Sequence, residues 1–74
     1  MKLSNANVGK FYIITSINLP KKSQKRLIEL GIFVGAKFKV CKKRNNAFLI
    51  ILATDTFYAI RYENANQIEV KVYE

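Results

Sequence analysis

The sequence predicts a small, mainly β domain: a five-stranded barrel with one α-helix inserted between its first two strands. Short β-branched and aromatic runs recur at close intervals, namely "GKFYIITSI", "AKFKVCKKR", "AFLIILA", "FYAIR" and "QIEVKVY", with turn-forming residues between them. One stretch, Lys21 to Leu30, instead repeats its apolar residues at helical spacing. With 74 residues the chain has room for one domain spanning 1–74 and a thin core, since so small a domain buries only about 60% of the surface its unfolded chain exposes.

After a polar start (Ser4 to Asn7), the first strand places Phe11, Ile13, Thr15 and Ile17 on one face. Lys10, Tyr12, Ile14 and Ser16 lie on the other, so both faces are partly apolar. Pro20 breaks the strand and suits the first turn of a helix, where its missing N–H costs nothing. In the helix Ser23, Leu27 and Leu30 share one side, flanked by Gln24 and Ile28; Lys22, Lys25 and Glu29 face away, with Arg26 at the boundary. Lys25 and Glu29 are an i,i+4 pair in the weaker orientation. So short a helix requires docking of its Leu face to persist.

Gly31 follows the last periodic residue, where a left-handed position favours glycine. "FVGA" reads as a type II turn with Gly35 at the position that needs positive φ. The next strand points Phe38 and Val40 inward and Lys37, Lys39, Cys41 and Lys43 outward. Asn45-Asn46 is a hairpin turn, and the continuous apolar run of "AFLIILA" suggests a strand buried on both faces. "TDT" turns into "FYAIR", "YENAN" forms a single helical turn, and the last strand shares Ile68, Val70 and Val72 on one face. Five short strands and one long-loop helix point to an SH3-like barrel.

Composition excludes several classes of function. The longest apolar run has seven residues, Ala47 to Ala53, against the roughly 20 of a membrane helix. The N-terminus lacks the uninterrupted apolar region of a secretory signal. A soluble chain is therefore expected, and its single cysteine, Cys41, fits a reducing, cytoplasmic setting. There is no histidine, the five acidic residues are scattered, and the three glycines form no phosphate-binding pattern. No catalytic residue, metal ligand or cofactor is assigned, and an enzyme is not expected. The net charge of +8 instead favours acidic partners.

"RLIELGIFVGAKFKV" followed by "YAIRYENANQIEV" resembles the FeoA family of small cytosolic accessory proteins of bacterial ferrous iron uptake. Arg26 and Leu27 match that family's helix end, Leu30, Gly31 and Ile32 its Leu-Gly-hydrophobic triplet, and Gly35 its turn glycine. Ala59, Ile60 and Arg61 match a later strand, and Ala65, Ile68 and Val70 the closing segment. Val34 stands where the family commonly has proline, and the basic "KKRNNAF" replaces a proline-containing loop. The resemblance implies an SH3-like fold and docking on an iron transporter whose cytoplasmic part is a GTP-binding domain. It also brings the family's association with transition metals, without a ligand set in this chain. A similar module ends some iron-dependent repressors.

Candidate binding residues follow from exposure and charge. Phe33 and Val34 lie in a link too short to hide both side chains; an exposed apolar tip beside cations is a docking feature, while a Phe33 folded back would seal one end of the barrel. Lys22, Lys25 and Arg26 supply the basic helix face beside that tip. The run from Lys37 to Arg44 reads either as a contact for an acidic partner or as a solubilising face. Tyr12, Tyr58, Tyr62 and Tyr73 fit strand packing better than base stacking. Cys41 reads as a small strand residue, although nearby cations favour a thiolate. Two alternatives stand beside transporter docking: a basic nucleic-acid-associated or regulatory module, and a homo-oligomer formed through a sheet edge or through that same tip.

Overall fold

The computed structural model describes residues 1–44 and 46–73. Five antiparallel strands follow in the expected order: β1 (Phe11–Ile17), β2 (Lys37–Arg44), β3 (Phe48–Ala53), β4 (Thr56–Arg61) and β5 (Ile68–Val72). Helix α1 (Lys21–Glu29) separates β1 from β2, and the single turn α2 (Tyr62–Ala65) separates β4 from β5. In the sheet the strands lie in the order β4-β3-β2-β1-β5. They curl into an SH3-like barrel whose two edges, β4 and β5, do not pair with each other.

Alternation along the strands builds the core. Tyr12 and Ile14 of β1, Phe38 and Val40 of β2, Leu49 and Ile51 of β3, and Ile68 and Val70 of β5 are all buried. Tyr12 and Phe38 sit opposite each other in the ladder, with ring centroids 6.0 Å apart. The Tyr12 hydroxyl, fully buried, accepts the Asn7 N–H at 2.8 Å.

The polar N-terminal stretch is structured, contrary to its composition. Leu3–Asn5 form a 3-10 turn that buries Leu3, Ser4 and Ala6. Ser4 Oγ donates to Asn66 Oδ1, so this buried hydroxyl is satisfied. Ahead of it, Met1 exchanges two backbone hydrogen bonds with Val70, at 2.8 and 3.0 Å. The chain's first residues thereby cover the outer edge of β5.

Three strand assignments need correction. β3 is not buried on both faces: Leu49, Ile51 and Ala53 are buried, but Phe48, Ile50 and Leu52 are only half-buried, because nothing packs over the outer side of the sheet at that point. Lys43 does not face outward. The β2–β3 register shifts between Val40 and Lys42, which leaves Cys41 as the extra residue of a bulge. Beyond the bulge Lys42 and Arg44 pair with outward Ile50 and Phe48, while Lys43 pairs with buried Leu49 and sets its ammonium 6.0 Å from the Tyr62 ring centroid. Val72 follows the inward alternation of β5 but lies beyond the core and is exposed. In the β2–β3 turn Asn46 takes a φ of 62° as expected of an Asn turn, whereas Asn45 lies outside the described residues. Thr54 and Asp55, both with positive φ, make the next hairpin turn.

The helix ends as its glycine demands. Gly31, at φ 87°, donates to the Ile28 carbonyl at 2.9 Å, and Ile32 donates to the Leu27 carbonyl at 2.8 Å. These are the two bonds of a Schellman closure. Replacing Gly31 with Ala forces a β-carbon into left-handed backbone and is expected to destabilise the fold by about 1–2 kcal/mol, with Asn at the same position costing less. Urea unfolding of the two variants measures this. Equal stabilities would show that the turn does not depend on left-handed backbone.

Candidate docking surface

Helix α1 begins immediately after Pro20, whose φ of −55° and ψ of 150° place it at the N-cap rather than inside the first turn. Its nine residues bury no side chain. The expected Leu face is therefore not docked as a whole: Leu27 is half-buried against the core, while Ser23, Ile28 and Leu30 are exposed. The physical reason is that Leu30 is already the C-cap, where the chain turns toward Ile32. Ile32, 1% exposed, takes the buried place instead.

A polar side chain completes the attachment. Gln24 Nε2 donates to the Ile17 carbonyl at 3.2 Å and to the Leu19 carbonyl at 2.7 Å. It ties the helix to the link by which the chain leaves β1. Between α1 and α2 a shallow groove of about 320 Å³ is lined by Leu19, Lys22, Ser23, Arg26, Leu27 and Asn64.

The basic helix face is solvent-exposed. Lys22, Lys25 and Arg26 stand on it, and none has an acidic side chain within ion-pair distance among the described residues. The Lys25–Glu29 pair does not form. Lys22 and Arg26 rim the groove over Leu27, and Arg26 precedes Leu30 by four residues, about 6 Å along the axis.

The tip is exposed rather than folded back. Phe33 is 45% and Val34 59% exposed. Gly35, at φ 94°, occupies the third position of the turn that ends with Ala36 N–H donating to the Phe33 carbonyl at 2.9 Å. Hydrogen bonds from Gly35 N–H to the Ile14 carbonyl (2.8 Å) and from Ile14 N–H to the Ala36 carbonyl (3.0 Å) fix the turn to β1. Ile28 and Leu30 enlarge the apolar patch, so four large apolar side chains within residues 28–34 meet solvent. Helical periodicity assigned those two to the helix's inward or flanking side, and only the position of the Schellman turn reveals their exposure.

The residues shared with the family pattern divide between support and surface. Ile60, Ala65, Ile68 and Val70 are buried and hold the barrel together, Leu27 is half-buried, and Gly31 and Gly35 shape the two turns. Ala59 and Arg61 are exposed on β4, and Arg61 pairs with Glu63 at 3.6 Å. Cys41 is half-buried at the bulge, its Sγ 3.7 Å from the Lys39 carbonyl. Among the described residues no three His, Cys, Asp or Glu side chains come together, and no helix is long and apolar enough to cross a membrane.

The sequence profile of the FeoA domain matches residues 1–72. The chain belongs to the FeoA family. A solution structure of the FeoA protein from Chlorobium tepidum is 27% identical and superimposes with a TM-score of 0.91, over 100% of this chain and 71% of that one. A crystal structure of an FeoA described as an iron uptake regulatory protein is 22% identical, with a TM-score of 0.89 over 99% of this chain and 97% of the other. The zinc complex of FeoA from Stenotrophomonas maltophilia, described as a prokaryotic SH3 domain protein and a candidate activating factor of bacterial ferrous iron transport, is 24% identical, with a TM-score of 0.77 over 96% and 89%. No curated protein matches significantly.

Because no side chain of α1 is buried, the FeoA helix relies on Gln24 for its polar attachment. Gln24→Ala is expected to lower stability by about 1–2 kcal/mol through two lost hydrogen bonds. Amide exchange should accelerate across Lys21–Glu29 more than in the strands. Uniform acceleration over the whole chain would instead mean that helix and barrel open together.

Proposed function

We propose that this FeoA chain is a cytoplasmic accessory module of ferrous iron uptake that docks on the cytoplasmic GTP-binding part of the iron transporter. The contact is made by Phe33 and Val34 together with Lys22, Lys25 and Arg26. One observation carries this reading: a concentrated apolar patch, Ile28 to Val34, is held outward by two turns at the end of a helix whose cations lack acidic partners among the described residues. Family membership supplies the context, and the iron-uptake descriptions of two FeoA relatives supply the direction.

The two halves of the surface have different tasks. Exposed Phe33 is an anchor able to enter a pocket and lose water, the kind of residue that dominates an interface. The helix cations attract an acidic surface from a distance and mainly raise the rate of encounter. Docking through a turn fixed to β1 brings the barrel along as a rigid body.

Binding to the solubilised transporter tests this. Phe33→Asp should weaken it at least about 30-fold, the equivalent of a hot-spot loss of 2 kcal/mol, and reduce iron uptake. Charge reversal at Lys22, Lys25 and Arg26 should act mostly on the association rate and fade as salt rises. The proposal fails if Phe33→Asp binds normally and supports normal uptake while remaining folded.

A further inference from the structure

The outer side of the sheet carries a second organised surface. Cross-strand register places Phe57 of β4 opposite Leu52, Leu52 opposite Lys39, and Lys39 opposite Phe11. Tyr73, beyond β5, extends the row, its N–H donating to the Phe11 carbonyl at 2.9 Å. Residues directly opposite one another share a face, so one row crosses β4, β3, β2 and β1 as Phe57, Leu52, Lys39 and Phe11 and continues to Tyr73 just past β5. Its rings are exposed: Phe57 64%, Phe11 51% and Tyr73 40%.

Cations are interleaved with these rings. Lys39 Nζ lies 5.6 Å from the Phe11 centroid, and Lys37 Nζ lies 4.3 Å from the Tyr73 centroid while donating to its hydroxyl at 3.0 Å. The neighbouring row holds Lys37 and Lys71 on either side of Ile13. On the other side, the Cys41 bulge turns Lys42 and Arg44 outward beside half-buried Ile50 and Phe48. Among the described residues, the acidic residue paired within the sheet, Glu69, lies against the Met1 amino group at 3.7 Å.

We propose that this face binds single-stranded nucleic acid. Across strands spaced 4.7–4.9 Å apart, exposed rings in the row lie beside the cations of the row and its neighbours, and an unpaired nucleotide offers the matching pair, a base to stack and a phosphate to neutralise. The row accommodates about four nucleotides, the lower end of single-strand site sizes on small barrels. An acidic peptide would satisfy the cations but leave the rings without planar partners. A duplex keeps its bases stacked inside. A second copy of the chain presents the same positive charge and is repelled, and an anionic bilayer is too flat to follow a sheet that curls around its core.

The test is fluorescence anisotropy of the full chain with a labelled twelve-nucleotide oligo-dT. The comparison probes are a duplex of equal phosphate number, polyglutamate and phosphatidylserine vesicles. Oligo-dT is expected to bind at least tenfold tighter than polyglutamate or duplex, with log affinity falling against log salt at a slope of about −3, as four or five neutralised phosphates require. Phe57→Ala and Phe11→Ala should each weaken oligo-dT about 5- to 150-fold, the value of one stacked base, and leave polyglutamate unchanged. Phe57→Trp should retain binding. Because both phenylalanines are exposed, unfolding midpoints near that of the parent chain would separate lost stacking from lost fold. The proposal is overturned if oligo-dT does not bind at 50 mM salt, if polyglutamate or vesicles bind as tightly, or if the phenylalanine variants bind oligo-dT like the parent.

Discussion

The hydrogen bond from the Ile32 N–H to the Leu27 carbonyl, with the Ile32 side chain buried below it, is the joint on which the rest of the molecule turns. A nine-residue helix with no buried side chain cannot persist by its own propensity. It is held from below by half-buried Leu27, at its entry by Gln24, and at its exit by Ile32. The same closure decides what remains outside. Once Ile32 fills the core position, Ile28 and Leu30 face solvent, and the following four residues, Phe33 to Ala36, form a turn before β2 begins. The exposed apolar patch is thus a geometric consequence of how the helix is anchored.

A second constraint acts in β2. An extra residue in β2 changes which side chains face out after Val40. Without it, Lys43 would point to solvent and Lys42 and Arg44 toward the core side. The bulge therefore sets the charge pattern of the outer sheet, keeping cations in register with the half-buried stripe of Phe48, Ile50 and Leu52.

The strands, both helical elements, the two glycine turns and most inward residues were legible because each rests on local chemistry. Gly31 and Gly35 announce left-handed backbone, and alternation in "AKFKV" announces one buried face. The missed features are those that depend on distant partners. Nothing in "MKLSNA" signals that Leu3 and Ala6 reach the core, because their neighbours come from the other end of the chain. A bulge leaves no compositional mark, so Lys43 was assigned by simple alternation. Phe33 and Val34 could be singled out because their link is short, whereas the exposure of Ile28 and Leu30 depends on tertiary packing that overrides helical period. The aromatic row on the outer sheet was illegible for the same reason: Phe11, Phe57 and Tyr73 are far apart in sequence and meet only through register.

Exposure of apolar residues in a domain this small is not by itself a sign of a site, because the surface-to-volume ratio leaves too little interior for a chain that is 50% hydrophobic. Ten large hydrophobic side chains are exposed, and Met1, Val8 and Val72 are scattered near the ends of the chain or of its strands, where incomplete burial is ordinary. The other seven are not scattered. Four fall within residues 28–34 and three lie in one cross-strand row, each group beside several cations. Random incomplete burial would distribute them with no regard to charge, and this clustering is what marks out the two proposed surfaces. The surfaces differ in kind: the first joins bulky aliphatic and aromatic groups at a protruding turn, a shape that enters a pocket, and the second spreads rings and ammonium groups across pleated strands, a shape that follows an extended chain. Both rest on one barrel without sharing a residue, although Lys37 of the second lies only three positions beyond Val34 of the first.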